Sequence, residues 1–258
     1  MSNSNKNNQI SKKSFITLSR KECLEIFPQI YLNAEAKWKS ALLLSRNEDF
    51  SSSNFLMVTA LEEYLKALIL SLDGNNFKFR EIKGIKGMFE NHSLRYPVLY
   101  LFHFMVSSLE LPTLMRKEKG AIRKGVLLFR KFFTANSNLS WYANLHKLRE
   151  DLLYSNIKDE GVILPHFITQ QDFKRNYENC KKVRYAFRSI LLPLNPDYHK
   201  FESERIKFIE VLKTMTTEFG LYDSLNEQII EIRKKGYNSN HLQTMIDLFN
   251  ESRSQTSI

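Results

Sequence analysis

Glycine, proline and cysteine are scarce in this 258-residue chain. It holds 8 glycines and 6 prolines, about half of their average usage. Barrels and sandwiches use these residues in their many tight turns, so the scarcity argues against both architectures. The two cysteines, Cys23 and Cys180, are too few for a disulfide scaffold, and we interpret both as small core residues.

Long apolar runs and targeting segments are also missing. No stretch of about 18 uncharged apolar residues occurs, so the sequence predicts no membrane span. The first fourteen residues are polar and lack the apolar segment of a signal peptide. We therefore expect a soluble, cytoplasmic protein with no membrane partner.

The sequence also lacks the common motifs for metals and phosphate-binding loops. It contains no Gly-rich phosphate loop, no HExxH and no CxxC, and its six histidines include no HxxxH pair. Nothing in it indicates a metal site or a cofactor.

Apolar residues recur at helical spacing along most of the chain. The pattern predicts an all-α protein, an up-and-down helical bundle with a C-terminal helical extension. We expect residues 1–19 to be a disordered tail, 20–195 the bundle and 196–258 the extension, with Pro193 and Pro196 at the boundary. Helices are expected at about 20–46, 54–72, 88–109, 117–134, 139–157, 169–192, 198–219, 223–235 and 239–252.

Positive charge is unevenly distributed. The net charge is +10, from 38 basic and 28 acidic residues. Residues 116–188 carry sixteen basic and seven acidic residues, whereas 196–258 carry eight and ten. A concentrated positive field attracts polyanions, because each neutralised phosphate releases counterions. The pattern fits contact with RNA or DNA as well as it fits a solvated surface.

Charged side chains interrupt the most apolar of the predicted helices. Glu62 and Glu63 lie among leucines and alanines, and Lys66 follows Glu62 at i, i+4, where the two can form an ion pair. Such a pair on a half-exposed helix is ordinary and contributes only about 0.3–0.5 kcal/mol. This helix has little polar surface, so these charges are expected either to pair inside the bundle or to line a cleft.

His92 and Arg95 lie three residues apart and project from one helix face. An imidazole that titrates near neutrality can move a proton, and a guanidinium can hold a phosphate. Together they suffice for metal-independent RNA cleavage, with His92 as base or acid and Arg95 on the scissile phosphate. The spacing is common, and His146 and Arg149 repeat it.

A third polar segment precedes the loop expected at 161–165. Arg149 and Tyr154 can add a phosphate contact and a hydroxyl to a site. The alternative is a cationic outer face with Tyr154 packed at the helix end, and spacing alone favours that alternative.

Three segments, in this order, resemble the abortive-infection family AbiV of the HEPN superfamily. ALEEYLKALIL (60–70) is similar to the family's A-x-E-E-x-x-K helix, and ENHSLR (90–95) resembles its H-x-x-K element, with Arg95 where lysine is more usual. KLREDLLYSN and VILPHFIT (147–156, 162–169) resemble its Leu-Tyr-Val segment and the loop that follows. The resemblance covers roughly residues 20–192 and not the C-terminal extension.

This resemblance implies a bacterial phage-defence protein with a HEPN-like bundle that dimerises around a shared cleft. Many HEPN proteins act on RNA through R-x4–6-H. This chain departs from that pattern, because seven residues separate Arg95 from His103. Catalysis here would use His92 and Arg95 in reversed order, or groups brought together across a dimer. The residues carried over by the resemblance, as site or as structural polar network, are Glu62, Glu63, Lys66, His92, Arg95, Arg149 and Tyr154.

Two functions follow as hypotheses. The first is an abortive-infection effector that cleaves or binds RNA, is triggered by a phage-encoded protein and stops gene expression. In it, Phe132, Tyr142 or Tyr154 would offer stacking surfaces, although such aromatics more often lie in the core. The second is a non-catalytic helical module that recognises a phage or host protein, with a purely structural polar cluster.

Overall fold

The fold was obtained as a computed structural model that describes residues 14–109, 139–153, 156–158, 161–163, 168–195, 202–218 and 221–235. These residues form a helical bundle with one short hairpin, which confirms the all-α prediction. The α-helices are α1 (Arg20–Arg46), α2 (Phe50–Gly74), α3 (Lys83–Glu90), α4 (Arg95–Leu109), α5 (Leu139–Leu153), α6 (Gln170–Leu194), α7 (Glu202–Glu218) and α8 (Leu221–Lys235).

Helix α2 forms the centre of the bundle. Most of its residues are buried, and α1, α4, α5 and α6 pack around it. Its N-terminus is capped by Asp49, whose side chain accepts a hydrogen bond from the Ser52 N–H at 3.1 Å. At the other end Gly74 lies against Leu24 of α1, where an added Cβ would come within 2.5 Å of the leucine side chain. This close approach requires glycine.

The segment between α2 and α4 places the polar residues of interest. The sequence leaves open whether Pro97 begins a helix or kinks one; α4 begins at Arg95, so Pro97 lies in its first turn, where its missing N–H costs no helical hydrogen bond. The stretch between the helices expected at 54–72 and 88–109 is partly helical, because α3 begins at Lys83. A 3-10 turn, His92–Leu94, joins α3 to α4.

A short antiparallel hairpin replaces a predicted helix end and loop. Helix α5 ends at Leu153, and strand β1 (Asn156–Lys158) pairs with β2 (Gly161–Ile163), with Ile157 opposite Val162. β-Branched residues favour this extended backbone. The predicted helices 117–134 and 239–252 lie outside the described residues.

The two C-terminal helices pack on the bundle. Ile229 of α8 is buried against Gly84 of α3, at a distance that leaves no space for a larger residue at position 84. Leu212 of α7 and Leu225 of α8 are also buried. Helices α7 and α8 therefore contribute apolar residues to the same core as the N-terminal helices.

Candidate functional site

Glu62 is the centre of a buried polar cluster between α2, α4 and α5. Its side chain is 5% exposed. One carboxylate oxygen, Oε2, accepts a hydrogen bond from Arg95 Nη1 at 2.5 Å, and the other, Oε1, accepts one from the Tyr96 hydroxyl at 2.7 Å. Arg149 Nε lies 3.3 Å from Oε1. A buried carboxylate is tolerated only with such partners.

The partners of Glu62 keep it ionised. Burial alone would raise the pKa of Glu62, but the Tyr96 hydrogen bond and the charges of Arg95 and Arg149 outweigh burial and lower it. The same burial, with the neighbouring carboxylate, raises the pKa of Tyr96. The cluster therefore holds a carboxylate and a neutral phenol.

The Arg95 guanidinium is occupied by contacts within the protein. Its side chain is 8% exposed, its Nε donates to the Met88 carbonyl at 3.0 Å, and its Nη1 contacts both Glu62 and His92 Nδ1, the latter at 2.6 Å. An arginine held in this way orients its neighbours. This geometry favours Arg95 as a positioning residue over a direct contact with a substrate phosphate.

His92 is the most accessible member of the cluster, with a side chain that is 46% exposed. Desolvation and the charges of Arg95 and Arg149 lower its pKa, against the opposing effect of Glu62. Its Nδ1 faces two groups, the Arg95 N–H donor and Glu62 Oε2 at 3.4 Å. Contact with Arg95 selects the neutral tautomer protonated on Nε2, whereas contact with Glu62 selects Nδ1–H and makes Nε2 an acceptor.

Helix α5 brings a second imidazole and a cation to this cluster. The His146 ring packs on the Tyr96 ring with centroids 6.0 Å apart, and Arg149 follows one turn later. Arg149 Nε is close enough to Glu62 for an ion pair but does not meet hydrogen-bond geometry, and His146 Nδ1 is also buried without a hydrogen-bond partner among the described residues. Two nitrogens on one turn of α5 thus lack hydrogen-bond partners among the described residues, and one of them, Arg149 Nε, lies beside a buried carboxylate.

Glu63 and Lys66 lie elsewhere. Glu63 pairs with Lys66 at 3.1 Å and with Lys37 of α1 at 3.4 Å. The expected Glu62–Lys66 pair is therefore replaced by a Glu63–Lys66 pair, because Glu62 turns towards Arg95 while Glu63, one residue on, turns towards α1. Tyr154 lies outside the described residues.

The predicted site residues thus divide into two groups. Glu62, His92, Arg95 and Arg149 come together, and Glu63 and Lys66 form a separate pair. Sequence reasoning missed Tyr96. The signal for it was available, because a buried carboxylate needs several partners and Tyr96 directly follows Arg95.

A second, partly buried polar cluster lies on the other side of α2. Glu35 of α1 accepts hydrogen bonds from the Tyr64 hydroxyl at 2.5 Å and from Arg184 Nη2 at 2.6 Å, and Arg188 Nε lies 3.5 Å from it. These contacts lower the pKa of Glu35 although burial opposes them. The Arg184 guanidinium also lies over the Trp38 ring, 5.0 Å from its centroid. The cluster joins α1, α2 and α6.

No group of three or more His, Cys, Asp or Glu side chains in the described part of the chain is arranged to hold a metal ion. Within the same ranges, no helix combines the length and apolar character that crossing a membrane requires.

Comparison with known protein families gives a match over most of the bundle. The sequence model of the family HEPN_AbiV, described as AbiV, matches residues 22–186. Neither the curated proteins nor the solved structures include a match to this chain. The matched range includes all the residues of both buried clusters except Arg188.

Proposed function

This chain belongs to the AbiV family of abortive-infection HEPN proteins, and from that premise we propose that it acts on RNA at the Glu62–His92–Arg149 cluster, as a metal-independent ribonuclease or RNA binder that stops gene expression. The observation that carries the proposal is the half-exposed imidazole of His92, held between a buried arginine and a buried carboxylate. A titratable group fixed in this way is suited to proton transfer.

In the proposed reaction His92 moves the proton and Arg149 supplies the charge. The 2′-oxygen of the RNA attacks the adjacent phosphorus, its proton passes to the imidazole, and the bond from phosphorus to the 5′-oxygen breaks. The leaving 5′-oxygen takes a proton from the imidazolium, which returns His92 to its neutral form, and the products are a cyclic phosphate and a 5′-hydroxyl end. Arg149, 15% exposed beside Glu62, is the cation placed to stabilise charge on the phosphate.

Glu62 and Arg95 position His92. Glu62 Oε2 faces His92 Nδ1 and can accept a hydrogen bond from it, which leaves Nε2 as the acceptor for the 2′-proton, and Arg95 Nη1 contacts the same nitrogen and holds the ring in place. The imidazolium that forms is stabilised by Glu62 and then gives its Nε2 proton to the leaving oxygen. Arg95 therefore acts through His92 in this proposal.

We further propose that the protein is a homodimer and that a phage-encoded protein triggers it. In one protomer His92 is the more exposed of the two imidazoles at the cluster, His146 being 37% exposed, and a second copy would supply a further acid or base to a shared cleft. Light scattering at micromolar concentration tests the first point, and a monomer would contradict it.

The alternative proposal is a non-catalytic module that recognises a phage or host protein. It is favoured by the mutual pairing of Glu62, Arg95 and Tyr96, which are all buried. Such a network can exist solely to fix the packing of helices. Under this alternative His92 has no role in proton transfer.

The experiment that separates these proposals is incubation of the purified protein with total bacterial RNA in EDTA. We expect the wild type to cleave, His92→Ala to lose about 10²–10⁴-fold in rate, and Arg149→Ala to lose a comparable factor. Arg46→Ala, an exposed cation at the end of α1, is the matched control and should cleave normally. Intact RNA with all four proteins, together with phage restriction that survives His92→Ala, would support the recognition module.

A further inference from the structure

We propose that the outward face of α6 binds single-stranded RNA, with Tyr185 as the ring on which a base stacks and the surrounding lysines and arginines as its phosphate contacts. The inference rests on RNA being the partner in the proposed function. It does not depend on cleavage, and it concerns a different surface from the His92 cluster.

Tyr185 is unusual among the tyrosines of this protein. Its side chain is 73% exposed, whereas Tyr64, Tyr96 and Tyr142 are fully buried. An aromatic ring exposed to this degree loses the free energy of apolar burial. A flat ring on an otherwise polar helix face is the kind of surface on which a nucleobase stacks.

The face around Tyr185 is strongly basic. Between Gln170 and Leu194 the helix carries six basic and two acidic residues. Three of the cations, Lys174, Lys181 and Arg188, recur every seven residues, which is two helical turns or about 10.5 Å. The basic residues are Lys174, Arg175, Lys181, Lys182, Arg184 and Arg188, and the acidic ones are Asp172 and Glu178.

The arginines beside Tyr185 are held in place before any ligand binds. Arg184 is fixed by Glu35 and by the Trp38 ring, and Arg188 lies 3.5 Å from Glu35. Arg188 nevertheless keeps 35% of its side chain exposed. A cation that is already oriented loses less conformational entropy on binding a phosphate.

Charge decides between two occupants of this face. A second copy of the chain, docked on the same face through a twofold axis, would place the cations of α6 against themselves. Like charges brought together in this way oppose association. A polyanion with stacked bases satisfies both the cations and the exposed ring.

The face and the His92 cluster lie on different sides of the bundle. Tyr64 points to Arg184 and Glu62 points to Arg95, and these two positions are separated by about 200° around α2. An RNA that reaches both surfaces must pass around the bundle. The α6 face would therefore hold the RNA at a distance from the reacting bond.

The test is a binding titration monitored by fluorescence anisotropy. The probe is a labelled oligonucleotide of about 15 nucleotides, a length in the range of single-strand sites. Single-stranded DNA of the same sequence lacks the 2′-hydroxyl, so it reports docking without cleavage. We expect Tyr185→Ala to weaken binding of both strands roughly tenfold, and Tyr185→Phe to bind like the wild type. Because Tyr185 is exposed, its variants should melt at the wild-type temperature.

The charge of the face is tested in the same assay. Lys182→Glu should reduce the dependence of log K on log salt by about 0.7 for the lost phosphate contact, while Lys207→Glu on α7, an exposed control of the same charge change, should leave it unchanged. Heparin has the charge of RNA without bases, so Tyr185→Ala should bind heparin as well as the wild type does.

Three results would overturn the inference: Tyr185→Ala binding within twofold of wild type, Tyr185→Phe losing as much as alanine, or RNA and heparin weakening equally in Tyr185→Ala. Failure here is distinguishable from failure of the proposed function. If His92→Ala abolishes cleavage while Tyr185→Ala binds normally, only the α6 face is wrong; the reverse pattern leaves the face and removes the ribonuclease.

Discussion

Two clusters of nearly the same composition lie on opposite sides of α2. Each has a glutamate that is buried or partly buried, a tyrosine hydroxyl that donates to it and two arginines, and in each the pKa of the glutamate is lowered against the effect of burial. One consists of Glu62, Tyr96, Arg95 and Arg149; the other consists of Glu35, Tyr64, Arg184 and Arg188. The difference is His92, which joins only the first.

The comparison separates the charge pairing that holds helices together from the side chain that could transfer a proton. A glutamate between arginines joins helices wherever charge must be buried, and the Glu35 cluster does this between α1, α2 and α6. The Glu62 cluster has the same pairing and adds an imidazole that is 46% exposed and faces both the Arg95 hydrogen-bond donor and the Glu62 acceptor. The Glu35 cluster is therefore an internal control for the Glu62 cluster.

The largest expected effect is loss of a buried glutamate. Glu62→Ala leaves Arg95 buried without its carboxylate, which should cost about 3–5 kcal/mol in the free energy of unfolding. Glu35→Ala should cost less, because Glu35 is 14% exposed against 5% for Glu62 and its arginines can reach water. Urea unfolding of both variants measures the difference, and a larger cost for Glu35→Ala would reverse the ranking.

The next effect is removal of one hydroxyl from each cluster. Tyr96→Phe and Tyr64→Phe each remove a hydrogen bond to a charged group, a loss of about 1.5–3 kcal/mol. The Tyr64 hydroxyl also accepts from Arg184 Nε at 2.8 Å, so a Tyr64→Phe and Arg184→Ala double-mutant cycle should show coupling of at least about 0.5 kcal/mol. Additive effects on the free energy of unfolding would mean that this hydroxyl does not join the two groups.

The smallest effect is on the pH dependence of stability. Both glutamates have a folded pKa below their ordinary value of 4.5, so the stability they add is present above pH 4.5 and is lost as the pH falls through the folded values. The pKa of His92 is also lowered from 6.5. The unfolded chain therefore binds its proton first, and stability falls as the pH drops below 6.5.

Urea unfolding across this pH range distinguishes the groups. His92→Ala should make the free energy of unfolding depend less on pH just below pH 6.5 and should leave its fall below pH 4.5 unchanged. Glu35→Gln should reduce only the fall below pH 4.5. A wild-type stability that increases as the pH drops below 6.5 would contradict the lowered pKa of His92.

The sequence predicts the members of the cluster better than their pairing. A glutamate in the most apolar helix has to meet a cation, so Glu62 and the nearby His92 and Arg95 could be identified. The i, i+4 rule then selected Lys66 as the partner, because spacing along one helix is visible in the sequence and contacts between helices are not. The contact of Tyr96 with Glu62 depends on helix packing, and so does the pairing of Glu35 with Arg184, two residues that are 149 positions apart. Both were missed.

For the fold too, the sequence predicted some features and missed others. The helix expected from 169 begins as predicted, capped by Thr169, whose hydroxyl accepts from the Asp172 N–H at 3.2 Å. The helix expected at 88–109 is instead divided into the end of α3, a 3-10 turn and α4, which begins at Arg95. The β1–β2 hairpin was missed, because three-residue strands carry too short a pattern to be distinguished from a loop. The boundaries of the three expected domains stay a prediction.

The measurement that tests the central claim most directly is chemical rescue of His92→Ala by imidazole during cleavage of single-stranded RNA in EDTA. If His92 transfers a proton, added imidazole should restore cleavage to this variant in proportion to its concentration, and should not restore it to Arg149→Ala. Cleavage by His92→Ala at the wild-type rate, or an inactive variant that imidazole does not rescue, would contradict the account.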